Sequence, residues 1–262
     1  MAAPNVSGTA LKAFKVLDFV AAKREPVTVA DVVNDLGIDR ASAYRMLLTL
    51  VESRYVTRAT DRSYRLSPKV MWLAQHLLED DTRDQKIASC LRTISEQTQE
   101  TVHYSVLDGN AAVLAKRAKG TQRVAVDFQI GDRSPLHCSS VGKVLLAYGE
   151  PQLTDTIVAQ GLPKVAPNTI TDPEAFRAEL KRIRAERCAF DDLEFADDMR
   201  CIAVPVFEAA GSVPGSIAIS GPASRFDLAK LEELRVIIQQ HADDLSRELG
   251  WSVGGDSKWM IS

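Results

Sequence analysis

Apolar residues early in the chain recur with the period of a helix. From Thr28 to Leu36 they fall at Val29, Val32, Val33 and Leu36, and Thr28 stands where a side-chain oxygen caps free backbone amides. Gly37 then predicts a stop, because glycine takes the left-handed conformation that ends a helix, and Asp39 caps the next one. In that second helix Ala43, Leu47, Leu50 and Val51 form one apolar stripe, while Ser42, Arg45 and Thr49 lie on another face. Residues on either side of Ala59-Thr60-Asp61-Arg62 alternate between Tyr55 and Leu66, which predicts a two-stranded hairpin. An amphipathic segment, Ala10 to Ala22 with Leu11, Phe14, Leu17 and Phe19, completes a three-helix core. Two short helices around a tight turn, followed at once by a hairpin, make a winged helix-turn-helix, assigned to residues 1–67.

The pattern changes after Leu66. Ser67-Pro68 reads as a cap and a first-turn proline, launching a linker helix over 68–81 with Val70, Leu73, Leu77 and Leu78 on one face. That stripe suits pairing of two copies or packing on its own domain, and both readings stay open. Residues 82–250 are mixed. Gln85 to Glu100 reads as helix, Thr101 to Leu107 and Ala112 to Ala118 as strands around the Asp108-Gly109-Asn110 turn, and Arg123 to Phe128 as a further strand. The stretch Pro135 to Lys143 opens an apolar helix that runs through Tyr148, and Asp172-Pro173 caps another to Arg187. Strands follow near Ala189 to Asp191, Cys201 to Phe207 and Val213 to Ser220, and a helix from Asp227 to Leu249 closes the domain. Hairpins with helices grouped around them give an α+β class with an antiparallel sheet. Residues 251–262 read as a Gly- and Ser-containing tail.

Charge divides along the same line. Residues 1–79 carry 11 Lys and Arg against 8 Asp and Glu, whereas residues 80–262 carry 21 against 27. The basic end is the one with the helix-turn-helix, so a local patch rather than a polycationic chain meets phosphates. A length of 262 residues with 45% hydrophobic content suits two packed domains. No apolar run reaches membrane-spanning length and no secretory pattern opens the chain, so a cytoplasmic protein without membrane attachment is expected. The four cysteines, Cys90, Cys138, Cys188 and Cys201, have neither zinc-site nor disulfide spacing. No cofactor and no metal are expected.

Candidate chemistry follows from these placements. On the second helix Arg45 can bond two acceptors of guanine, and Ser42 and Thr49 reach bases or phosphates. Small Ala41 and Ala43 allow close approach; Arg40 and Tyr44 flank that face and suit phosphate oxygens. Thr28 joins the set at the first helix, and Arg58, Arg62 and Arg65 place three charges on the hairpin. Double-stranded operator DNA is the partner this implies. Farther on, Ser139, Ser140, Val141 and Gly142 sit where a loop enters a helix, whose free amides and dipole attract a carboxylate. The residues also offer parts of two other classes. His137-Cys138 with His103, or Ser139 or Ser220 alone, are the parts of a hydrolase, but no G-x-S-x-G, phosphate loop or dinucleotide fingerprint occurs. Cys138, near a helix N-terminus and beside His137, is a candidate low-pKa thiol for redox sensing. Both rank below metabolite binding.

With IDRASAYRMLLTL, YRLSPKV, ETVHYSVLDG, PLHCSSVGKVLLA, NTITDP, RCIAVPVF and SIAISGPASR in this order, residues 9–249 resemble the IclR family of bacterial transcriptional regulators. The resemblance implies a GAF-like α/β effector-binding domain, a homodimer or homotetramer, and control of a catabolic operon by a small organic acid. By position it carries the pocket onto Asp191 or Asp192, Cys201 and Ser220. A hydroxyl common two residues before that serine is replaced by Ala218, which counts against a very polar ligand. Apolar walls are expected from Val113, Leu114, Val126, Phe128, Ile130 and Leu136, which suit an aromatic or medium-sized acid. His103 and His137 are expected to be structural, and the acids from Asp191 to Asp198 to form a solvated loop.

Overall fold

The computed structural model describes residues 6–23, 25–78 and 81–252, and the chain divides into two compact units, Met1–Asp80 and Asp81–Ser262. In the first, α1 (Gly8–Ala22), α2 (Val29–Leu36) and α3 (Arg40–Glu52) precede a hairpin of β1 (Val56–Arg58) and β2 (Tyr64–Leu66), and α4 (Lys69–Leu78) follows. Local chemistry sets these boundaries. Thr28 and Asp31 cap α2 reciprocally, Gly37 ends it at φ 63°, and Asp39 accepts from the Ser42 amide at the start of α3. The hairpin pairs Val56 with Leu66, and Val27 adds a bridge to Tyr64. The core comprises Val16, Val20, Val32, Ala43, Met46, Leu47, Leu50, Val56 and Tyr64.

Two sequence expectations shift here. In α1 the buried positions are Val16 and Val20, whereas Leu11 and Phe14 are 50% and 62% exposed. In α3 Met46 takes a buried place and Val51 is only partly covered. On α4, Met71, Trp72 and Leu73 are exposed; the side chains of Leu77 and Leu78 lie outside the described residues, as does the tail from 253 on.

The second unit opens with α5 (Asp81–Thr98). Its sheet has six strands in the order β5-β4-β3-β8-β7-β6, every pair antiparallel: β3 (Val102–Asp108), β4 (Ala111–Ala118), β5 (Arg133–Pro135), β6 (Ala189–Asp192), β7 (Met199–Val206) and β8 (Gly215–Pro222). Between them lie α6 (Ser140–Tyr148), α7 (Pro151–Gln160) and α8 (Pro173–Glu186), and α9 (Leu228–Glu248) follows β8. Strand alternation sorts the residues. Val102, Tyr104, Ile202, Val204, Ile217 and Ile219 meet α5 and α9 on one face. On the other, Ala112, Ala189, Ala203 and Ala218 are small enough for α6 and α8 to pack close. The expected strand at 123–128 is absent. That segment crosses without ladder pairing, and the edge of β4 is taken instead by β5; neither β5 nor α7 is signalled by the periodicity.

Candidate functional sites

In the first unit the exposed side of α3 and the hairpin carry the charge. Arg40, Arg45, Arg58, Arg62 and Arg65 are all exposed, and none forms an ion pair among the described residues. Arg40, Ala41, Tyr44, Arg58 and Arg62, with Val29 and Tyr64, line an open cleft between helix and hairpin. The Arg58 guanidinium stacks over the Tyr64 ring at 5.8 Å. Arg45 is 3.3 Å from the Ser42 hydroxyl, whereas the Thr49 hydroxyl donates back to the Arg45 carbonyl. Thr28 is exposed but uses its hydroxyl within the α2 cap. Ala43 departs from expectation. It is 0% exposed, because it faces the same core as Leu47, and has no surface to offer a partner.

In the second unit a small cavity, partly open to solvent, lies on the small-residue face of the sheet. Register builds its floor. Asp191 pairs with Cys201 and Cys201 with Ser220, while Ala218 pairs with His103, so alternate residues of four neighbouring strands present one row to the cavity. Ser105 and Leu114 extend that row across β3 and β4, and Ser139, Ser140 and Val141 at the start of α6 form a wall. Met199 at the start of β7 and Ser134 of β5 add to the lining, and Phe128, Asp132 and Phe195 reach it from segments outside the strands. Phe128 meets His103 edge-on at 5.5 Å and Phe195 at 6.3 Å, so an aromatic pair covers the histidine. Arg117 holds that cover by donating to the Phe128 carbonyl and the Asp127 carboxylate.

The polar atoms of this cavity are unevenly satisfied. Ser139 caps α6, accepting from the Gly142 amide at 3.2 Å and donating to the Pro135 carbonyl at 2.6 Å. The first amides of the helix, at Ser140 and Val141, have no intrahelical acceptor. His103 Nε2 and Asp191 Oδ2 are buried without a hydrogen-bond partner among the described residues. Burial, and then the nearby Arg117, push the His103 imidazole down to about 4, so it is neutral at ordinary pH. Burial pushes the Asp191 carboxyl up to about 6, although the Glu194 and Phe195 amides donate to its Oδ1. The Cys201 thiol, a weak donor, stands beside that carboxyl.

Several sequence-predicted site residues fall elsewhere. Asp192 lies on the opposite face of β6 and pairs with Arg200. Leu136 is buried in the α6/α8 core, and Gly142 packs against it, so closely that a Cβ would come within 2.5 Å of the Leu136 Cα. Neither lines the cavity, and of the expected apolar walls only Leu114 and Phe128 do. His103, expected to be structural, faces the cavity; His137 bonds the Pro163 carbonyl at 2.9 Å. Cys138 is 0% exposed, and burial pushes its thiol up to about 12, opposite to the exposed low-pKa thiol proposed for redox sensing. The acids from Asp191 to Asp198 are not all solvated: Asp191, in β6, is 0% and Glu194 7% exposed. Ser105, two residues on from His103, and Met199, two before Cys201, follow strand alternation; Asp132, Ser134 and Phe195 carry no periodic signal.

Comparison with known proteins accords with this architecture. Residues 9–60 match the model of the IclR helix-turn-helix domain, and residues 81–247 that of the bacterial transcriptional regulator IclR C-terminal domain. The HTH-type transcriptional regulator XynR of Escherichia coli is 28% identical over 92% of this chain and 96% of its own length. The crystal structure of the Thermotoga maritima IclR superposes with a TM-score of 0.75 at 28% identity, covering 93% of this chain and 99% of that one. An IclR homolog from Microbacterium hydrocarbonoxydans, complexed with 4-hydroxybenzoate, shares the fold with a TM-score of 0.78 at 22% identity, over 92% and 99% of the two chains. The relatives are regulators rather than enzymes, and among the described residues no helix is long and apolar enough to cross a membrane. With a helix-turn-helix domain and an IclR C-terminal domain covering most of its length, the chain belongs to the IclR family of bacterial transcriptional regulators.

Proposed function

We propose that this protein is an operator-binding regulator whose second unit binds a small organic acid in the His103/Asp191 cavity and thereby controls a catabolic operon. One observation carries the effector reading: two buried polar atoms lining the cavity, His103 Nε2 and Asp191 Oδ2, have no hydrogen-bond partner among the described residues, beside the open amides of α6. Buried polar atoms without partners are costly, and a ligand bearing both donor and acceptor groups satisfies them. The aromatic pair Phe128 and Phe195 suits a planar or branched carbon skeleton, and Ser140 and Ser220 supply hydroxyls.

On DNA, Arg45 with Ser42 and Thr49 reads base edges, while Arg40, Tyr44, Arg58, Arg62 and Arg65 hold phosphates. Two copies pair to read two half-sites, and the exposed Met71, Trp72 and Leu73 of α4 support that pairing. The effector binds one arrangement of the pair better and shifts its population. Calorimetric titration with a panel of acids that includes 4-hydroxybenzoate, benzoate and pyruvate tests the cavity. Binding by one acid that Ser140→Ala with Ser220→Ala weakens supports it; binding unaffected by the double variant places the effector elsewhere.

A further inference from the structure

Beneath the cavity lies a buried ionic cluster. Lys143, one turn into α6, is 0% exposed, an unusual state for a lysine. Its Nζ is 2.5 Å from Glu194 Oε1 and 3.4 Å from Glu179 Oε1. Glu179 has a second cation, since Arg182 grips it with Nε at 2.8 Å and Nη2 at 2.9 Å while also bonding Glu186 at 2.6 Å. Lys143 is therefore left to two buried carboxyls, Glu194 on the turn after β6 and Asp191 near the end of that strand. The Glu194 amide donates to Asp191 Oδ1 at 2.8 Å, so the turn binds the two groups together. Each retains one buried oxygen with no hydrogen-bond partner among the described residues, Asp191 Oδ2 and Glu194 Oε2. The other ionisable groups near the pair add no cation: the Cys138 and Cys201 thiols are neutral, His103 is neutral, and Asp132 at the cavity wall is a carboxyl.

One ammonium against two dry carboxylates leaves an excess negative charge, and both unsatisfied atoms are acceptors. A single proton on the pair removes both faults, neutralising the charge and turning one orphan acceptor into a donor. We propose that the Asp191/Glu194 pair carries an exchangeable proton and that an anionic effector binds together with it, its carboxylate accepting a hydrogen bond from the protonated Asp191. This rests on the assignment of the cavity as the effector site. It supplies what the lining lacks, since neither Lys nor Arg is among the cavity residues and only the α6 amides otherwise face an anion. Proton balance is simple: above the range in which the pair titrates, one proton is drawn from solvent as the acid binds, and it leaves when the acid leaves. Burial pushes Glu194 up to about 7 and Asp191 up to about 6, which puts that range near neutrality. Lys143 is a positioning residue, touching the pair rather than the ligand.

Two measurements on the full chain test this. Without ligand, urea unfolding of wild type and Glu194→Gln is followed from about pH 5 to about pH 8.5. A carboxyl whose folded pKa is raised gives stability below its unfolded pKa and loses it as pH rises through the folded one, so wild type should fall progressively behind Glu194→Gln as pH rises. The trend with pH is the readout, and a difference that stays constant overturns the proposal. With ligand, 4-hydroxybenzoate, benzoate and pyruvate are titrated calorimetrically at about pH 6 and about pH 8 in two buffers of different ionisation heat. Near pH 8 about one proton should be taken up per acid bound, and affinity should fall about tenfold per pH unit above the titration range. Asp191→Asn should abolish the proton uptake. An acid that binds with no proton uptake near pH 8 overturns the proposal. A pH-dependent difference in unfolding with no acid bound at either pH supports the protonated pair and counts against the organic-acid assignment instead.

Discussion

Removing the two wing charges at Arg58 and Arg62 separates a phosphate-contacting hairpin from a merely basic one. Both side chains are exposed without an ion pair among the described residues, so their loss breaks no internal bridge. Arg62 holds φ 66°, and asparagine tolerates that left-handed backbone, so Arg58→Gln with Arg62→Asn discharges the turn while sparing its shape. Each phosphate contact contributes about 0.9 to the slope of log affinity against log salt, so the double variant should lower the slope by about 1.8 per wing engaged. Between about 50 and about 200 mM salt the advantage of wild type then shrinks about twelvefold for one wing and about 150-fold for two. The assay is fluorescence anisotropy on labelled operator DNA across that salt range, with exposed Lys164→Ala in the second unit as a control of unchanged slope. A double variant whose slope equals that of wild type refutes phosphate contact by the wing. The size of the change also reports whether one wing or two engage.

Other expectations are independent of the wing. Arg45→Ala should weaken operator binding by about 1–3 kcal/mol and relax the choice of base at one position, with acid binding intact; unaltered affinity removes Arg45 from the reading face. Ser140→Ala with Ser220→Ala should blunt release by acid without loss of DNA affinity in its absence, and a full response to acid argues against both hydroxyls. Gly142→Ala places a Cβ 2.5 Å from the Leu136 Cα and 2.7 Å from two backbone carbonyl oxygens, none of which can swing away. Overpacking of about 1–3 kcal/mol then outweighs or cancels the roughly 1 kcal/mol that alanine gains over glycine in a helix, and a melting temperature above wild type contradicts the close packing of α6 on that strand end.

The parts of the fold that were legible in sequence are those in which period and caps agree. Thr28, Gly37 and Asp39 bracket α2 and α3 through hydrogen bonds made within a few residues, so tertiary context was not needed to place them. Arg123 to Phe128 misled because its alternation of polar and apolar residues is that of a strand, yet a strand also needs a free neighbouring edge. β5 occupies that edge, and the segment instead lays Phe128 over His103. Ala43 was placed both in the core and on the DNA face, and burial decides for the core. Within the cavity, the α6 wall was visible as a loop entering a helix, and alternation separated Asp191 from Asp192 once β6 was paired. Phe195 reaches the cavity through the turn after β6, whose path no local pattern encodes, whereas Met199 alternates with Cys201 at the start of β7. Lys143 did carry a signal: one charge inside SVGKVLLAY demands a buried partner, and Glu194 answers it 51 residues on.

The most direct test of a ligand-controlled regulator is anisotropy of the full protein on DNA from upstream of its own gene and the neighbouring operon, at two salt concentrations, with and without the acid panel. Tight binding that weakens with salt, resists nonspecific competitor and shifts with one acid is the expected result. Specific binding that no acid shifts contradicts effector control through the cavity, and no specific binding at either salt contradicts the assignment of α3 and the wing as the DNA-reading surface.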